Sequence, residues 1–218
     1  MKTKSISFLL LLILVSLSFS ACNKEPATVA CIGNSITYGP REDGGNNSYP
    51  GQLQQLLGEE YDVFNFGYSG RTLLKKGDFP YWDEVYLKAA KAIHPDIVII
   101  KLGTNDTKPQ NWQYGDEFET DYKALIEEFT SLPSPPKIWI CYPVPAFETR
   151  WGIRDSVVVH GVIPTIDKIS SELNIPVIDL YQPLLDKGSL FPDGIHPDKE
   201  GCRIMAEIIA ATIRGETN

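Results

Sequence analysis

Histidine, methionine and cysteine are scarce in this sequence, with three, two and four residues among 218. Three histidines, with no HxH pair and no paired carboxylates at ligand spacing, leave little from which to build a metal centre. The cysteines form no CxxC and no Cys/His pair, and Cys31, Cys141 and Cys202 are odd in number and widely separated. That excludes a zinc ribbon and a disulfide framework; Cys31 and Cys141 sit in apolar strand-like runs and read as buried thiols. Basic charge is short as well. Lys and Arg number 20 against 28 Asp and Glu, a formal net charge of −8, and Lys75-Lys76 is the one adjacent basic pair. Such a chain is a poor partner for a nucleic-acid backbone, which is held by clustered cations. Neither a repeat nor an interdomain linker is present, and the 17 glycines and 16 prolines follow no period. With 43% hydrophobic residues the chain is globular and of a size for one domain.

The one long apolar run lies at the start. Lys2 and Lys4 precede a Leu-rich stretch over residues 6–19, too short to span a bilayer as an ordinary helix, followed by Ser20, Ala21 and Cys22. Residues 1–21 therefore read as a secretory signal. Small residues just before a cysteine, with polar residues after it, resemble a bacterial lipoprotein signal, which implies a lipid on Cys22, export, and attachment to a bacterial membrane through that lipid alone. Phe19 stands where such signals usually carry Leu, and a plainly cleaved signal or an uncleaved membrane helix are the alternatives. Residues 22–27 would form a short tether and residues 28–218 the working domain, more acidic than the whole by the two lysines shed.

Within that domain, short Val- and Ile-rich runs alternate with stretches of helical period. Residues 28–32, 61–66, 97–102, 138–142 and 177–180 are expected strands, several apolar at consecutive positions as strands covered on both faces are. Residues 50–57, 82–93, 118–132, 157–173 and 199–213 place apolar residues at helical spacing. Ser48 is positioned to cap the first of these, and the Pro133-Ser134-Pro135-Pro136 cluster ends the third. The pattern predicts an α/β fold in which a five-stranded parallel sheet lies between helices, an α/β/α sandwich.

In such sheets function gathers in loops leaving the carboxyl ends of strands. Four informative blocks fall there: Gly33-Asn34-Ser35-Ile36-Thr37, Asn65-Phe66-Gly67-Tyr68-Ser69-Gly70-Arg71, Gly103-Thr104-Asn105-Asp106 and Asp193-Gly194-Ile195-His196-Pro197. A hydrolytic serine needs a base, a carboxylate to orient that base, and donors for the oxyanion. Ser35 is the candidate nucleophile, His196 the base and Asp193, three residues earlier in one turn, the orienting acid, with Asp179 as its fallback. The amides of Ser35 and Gly67 and the side chain of Asn105 are candidate oxyanion donors. Taken singly, each has a plainer role: Ser35 as a cap, Asn105 and Asp106 as turn residues, and the last block as a turn before a cap at Asp198. His94 and His160 lack such a setting and read as structural or solvent-facing.

The four blocks, in this order, resemble the GDSL or SGNH hydrolase family, whose Ser, Gly, Asn and His map to Ser35, Gly67, Asn105 and His196, over about residues 28–210. Asn34 replaces the family's usual Asp before the nucleophile. The resemblance implies a flavodoxin-like sandwich and hydrolysis of carboxylic esters through an acyl-serine, with no metal or organic cofactor. It is nearest to sialate O-acetylesterase-like and carbohydrate-esterase members, which implies a small or glycan ester as substrate and acetyl as the group removed. Arg71, Trp82 and Arg150 are candidate substrate contacts, and Trp112, Tyr114, Phe147 and Trp151 further rings able to stack on a sugar. The alternatives are a lysophospholipase or thioesterase, a non-catalytic glycan-binding lipoprotein, and, less well supported, a metal-dependent phosphoesterase using Asp106, Asp193, His196 and Asp198.

Overall fold

The computed structural model describes residues 25–39 and 45–216. The expected signal over residues 1–21, Cys22 and the first part of the tether lie outside them. Five strands, β1 (Ala27–Gly33), β2 (Tyr61–Gly67), β3 (Ile97–Lys101), β4 (Lys137–Cys141) and β5 (Val177–Ile178), form one sheet in the order β2-β1-β3-β4-β5. All neighbouring pairs are parallel. This is the flavodoxin-like order, in which the chain reverses its direction of winding between β1 and β3 and opens a crevice beyond their carboxyl ends.

The helices are α1 (Ser35–Tyr38), α2 (Tyr49–Leu57), α3 (Val85–Ala92), α4 (Pro109–Trp112), α5 (Phe118–Thr130), α6 (Asp155–Val157), α7 (Ile163–Leu173) and α8 (Lys199–Arg214). Successive residues of a strand face opposite ways, and the core divides accordingly. Val29, Cys31, Ile97 and Ile99 pack with Leu53 and Leu57 of α2 and Met205 and Ile209 of α8. Ala30, Ile32, Val98 and Ile100 pack with Leu87 of α3, Tyr122 and Phe129 of α5 and Ile166 and Ile169 of α7. Burial of each such Val, Leu or Ile is worth about 1.5–3 kcal/mol, which is why central β3 is apolar on both faces.

Three elements depart from expectation for local reasons. β5 ends at Ile178, because the next carboxylate, Asp179, accepts the N–H groups of Tyr181 and Gln182 at 2.8 and 3.0 Å and folds the chain into a turn. The helix expected over 82–93 is split: Glu84 is extended, and Tyr81 and Trp82 are pinned by hydrogen bonds from Tyr81 Oη to the Phe66 carbonyl and from Trp82 Nε1 to that of Leu73. The helix expected over 157–173 begins as α6, widens into a π turn at Val158–Val162 and continues as α7. Pro164 has no N–H to give to the carbonyl of His160, and the wider turn lies directly before it.

Candidate active site

Ser35 opens α1, the single turn that follows β1. Asn34 caps that turn, its Oδ1 accepting the Ile36 N–H at 3.0 Å. The cap thus survives the exchange of Asp for Asn, although Asn34 Nδ2 is buried without a partner. The amide of Ser35, in the first position of the turn, has no carbonyl four residues back to bind within the helix.

His196 stands between the loop after β5 and the start of α8. Its Nε2 is 2.8 Å from Ser35 Oγ and its Nδ1 2.7 Å from Asp193 Oδ2. The other oxygen, Asp193 Oδ1, accepts the N–H groups of Ile195 and His196 at 2.9 and 2.7 Å, so one carboxylate shapes the turn and orients the ring. Burial opposes the charge on Asp193, but the N–H and imidazole of His196 and the N–H of Ile195 outweigh it and hold the carboxyl below its usual value. A carboxylate so held favours the tautomer with a proton on Nδ1, leaving Nε2 as the acceptor for the Ser35 hydroxyl. A cavity of about 400 Å³ opens beside this pair, lined by Ser35, Ile36, Tyr38, Gly39, Ser69, His196 and Pro197.

The structure separates the other expected site residues. Asn105 begins the 3-10 turn after β3; it is buried, and its Nδ2 donates to the Arg71 carbonyl at 3.1 Å, leaving the second hydrogen of the amide. Gly67 does not fill the role of a free donor. Its N–H is given to Asn65 Oδ1 at 2.9 Å, and a Cβ on it would lie 2.2 Å from Tyr38 N, so glycine is required here to let β2 reach the nucleophile turn. Asn65 secures the same junction through Nδ2, 2.9 Å from the Thr37 carbonyl. Gly70, with φ of 83°, lies between Ser69 on the cavity wall and Arg71, whose carbonyl Asn105 holds. Asn65 and Gly70 were visible only as members of the second block.

Arg71 is not free for a substrate carboxylate. Its Nε and Nη2 bind Glu84 Oε1 at 2.6 and 2.5 Å, its Nη1 binds the Ser69 carbonyl, and the group lies over the Tyr68 ring. Trp82 stands apart from Ser35, under the amine of Lys75 in a separate hollow with Lys91 and Glu128. Arg150 does reach the site, its Nη1 3.5 Å from the Asp193 carbonyl. Trp112 packs on Phe118 and Phe147 on Phe191, whereas the Trp151 ring lies 5.4 Å from the imidazole of His196. His94 and His160 are exposed. Asp179 closes its own turn, Asp106 accepts the N–H groups of Leu73 and Leu74, and Asp198 caps α8.

Beneath the site, Lys101 ends β3 opposite Gly33, its side chain fully buried and its Nζ 3.2 Å from Thr104 Oγ1. Burial pushes its pKa down to about 7.

A serine, an imidazole and a carboxylate in hydrogen-bonded series at the switch point of a flavodoxin-like sheet define the class of serine-dependent hydrolase sites built on α/β/α sandwiches. The chain belongs to the GDSL-like lipase/acylhydrolase family, whose model matches residues 31–204. It is 44% identical over 216 residues to an acetylxylan esterase of Xylanibacter ruminicola, covering 90% of this chain and 45% of that protein. A multidomain esterase of Ruminococcus flavefaciens is 25% identical, over 84% of this chain and 28% of that one. The chain thus spans less than half the length of these curated relatives. Among solved structures, the inhibitor-bound aryl esterase of M. smegmatis superposes with a TM-score of 0.71 at 22% identity, over 87% of this chain and 99% of that one. A carbohydrate acetylesterase from Sinorhizobium meliloti gives 0.67 at 21%, over 88% and 100%. These structural likenesses speak for the fold.

Proposed function

We propose that the protein is a serine esterase that removes O-acetyl groups from carbohydrates. The hydrogen-bonded series Ser35–His196–Asp193 carries the esterase reading, and the likeness to an acetylxylan esterase supports acetyl on a glycan as the substrate class. Ser35 Oγ attacks the ester carbonyl carbon while His196 Nε2 takes its proton. The Ser35 amide and the free hydrogen of Asn105 Nδ2 stabilise the oxyanion, and because Asn65 takes the Gly67 N–H the third donor is assigned to the Gly70 amide. The bond from the carbonyl carbon to the sugar oxygen then breaks, His196 gives its proton to that oxygen to form the free hydroxyl, and an acetyl-serine remains. Water, deprotonated by His196, attacks that ester and releases acetate.

The test is acetate release from acetylated xylans, pectins and sialic acids, beside nitrophenyl esters of acetyl and octanoyl chains. The reading expects acetate from at least one glycan and a preference for acetyl; a strong octanoyl preference with no glycan turnover overturns it. An export signal over residues 1–21 and a lipid on Cys22 belong to the same proposal, since acetylated polymers lie outside the cell. Cys22→Ser is expected to move the protein from the membrane to the soluble fraction, and unchanged membrane partition contradicts the anchor.

A further inference from the structure

We propose that Trp151 is the platform on which the sugar ring of the leaving alcohol stacks, and so a specificity-determining residue; this rests on the carbohydrate-ester reading above. Ile153 N–H donates to the Arg150 carbonyl at 3.0 Å, closing a four-residue turn whose central pair, Trp151 and Gly152, have φ of 52° and 82°. Two left-handed residues in succession are ordinarily Asn-Gly, because a Cβ is crowded there and a bulky side chain gains nothing from the backbone. The other described non-glycine residues with positive φ, His94 and Asn174, each follow the end of a helix. Trp151 closes no helix. Nor does it fill the core, since 55% of it is exposed. Strain of this kind is retained where the surroundings impose it and points to function.

The contacts of the indole say what that function is. Its ring meets the imidazole of His196 at 5.4 Å with a tilt of 57°, and the Arg150 guanidinium lies 4.9 Å from its centroid. His196 Nε2 must hand its proton to the departing oxygen, so the alcohol half of the ester begins within hydrogen-bonding reach of this ring. Trp151 does not line the cavity beside Ser35, Ile36 and Tyr38; it stands against His196 with more than half of its surface open to solvent, as a platform for an alcohol extending from that ring must. A pyranose presents an apolar face of C–H bonds and a rim of hydroxyls. An exposed indole suits the first, and Arg150, which no carboxylate pairs among the described residues, offers donors to the second.

The experiment is Trp151→Asn, with kcat and KM measured on acetylated xylo-oligosaccharides and on nitrophenyl acetate, and Tm alongside. The proposal expects the ratio of kcat/KM for the oligosaccharide to that for nitrophenyl acetate to fall about tenfold, mainly through KM. Asn is at ease in the left-handed region, so Tm should hold or rise, and Trp151→Phe should restore part of the ratio. An unchanged ratio overturns the proposal, as does an equal fall on both substrates through kcat, which would make Trp151 a support for His196. If the unaltered protein releases acetate from no glycan, the carbohydrate reading fails and this inference with it; if it does release acetate and Trp151→Asn keeps the ratio, only the platform fails.

Discussion

His196 Nε2 lies 2.8 Å from Ser35 Oγ although 161 residues separate them. The parallel sheet makes this contact: Ser35 leaves the carboxyl end of β1, and His196 arrives on the loop from β5 just before α8 packs back against α2. Among the described residues, Asp193 is the one carboxylate that holds the imidazole.

Replacing that carboxylate isolates its charge from its shape. In Asp193→Asn the side-chain oxygen can still accept the N–H groups of Ile195 and His196, but the group facing Nδ1 becomes an amide donor and favours the wrong tautomer. We expect kcat on nitrophenyl acetate to fall about 10⁴-fold with little change in KM. The native carboxyl, held below its usual value, also stabilises the fold above pH 4 or so and loses that contribution as pH falls through its folded pKa. The acid limb of a thermal-stability profile should therefore flatten in the variant; matching limbs and near-native kcat would contradict the role given to Asp193.

Asn65 tests the junction under the nucleophile turn. Asn65→Ala strips a partner from the Gly67 amide and from the Thr37 carbonyl. Such losses cost about 1–3 kcal/mol. For a chain of this size that corresponds to a Tm lower by roughly 2–12 °C. Because the turn carries Ser35, kcat should drop about tenfold; a Tm within a degree of the native value would remove Asn65 from the account.

Lys101 gives a pH test with a fixed sign. Its folded pKa, near 7, is below the ordinary lysine value of 10.5, so between those values the unfolded chain binds the extra proton and stability rises with pH. Below about pH 7 both states are protonated and the burial penalty is complete. Lys101→Met, similar in length and apolar, should gain about 1–3 kcal/mol at pH 7 and lose the upward slope between pH 7 and 10. Denaturant titrations at pH 7, 8.5 and 10 measure both; parallel profiles for the two proteins would show that the amine is not desolvated.

The architecture was legible because burial on both faces leaves continuous apolar runs, as in residues 97–100 of β3, and because the chemical blocks follow those runs closely. The shortness of β5 was not, since it turns on the Asp179 side chain capturing two N–H groups. Gly67 and Gly70 share one block, and that the Gly67 amide is taken turns on the Asn65 side chain, which the letters do not show. Arg71 and Arg150 look alike as letters; Glu84, thirteen residues on, neutralises the first, whereas the second meets no carboxylate among the described residues. Trp151 beside His196 joins two loops from different strands, and no local pattern carries that information.

In the proposed reaction Ser35 carries the acetyl group between glycan and water. Acetate released from acetylated xylo-oligosaccharides by the native protein and by Ser35→Ala, at equal concentration and with matched Tm, measures it most directly. The account predicts steady release by the native protein and a rate lower by about 10⁶-fold, effectively background, in the variant. Release by Ser35→Ala within tenfold of the native rate would contradict it.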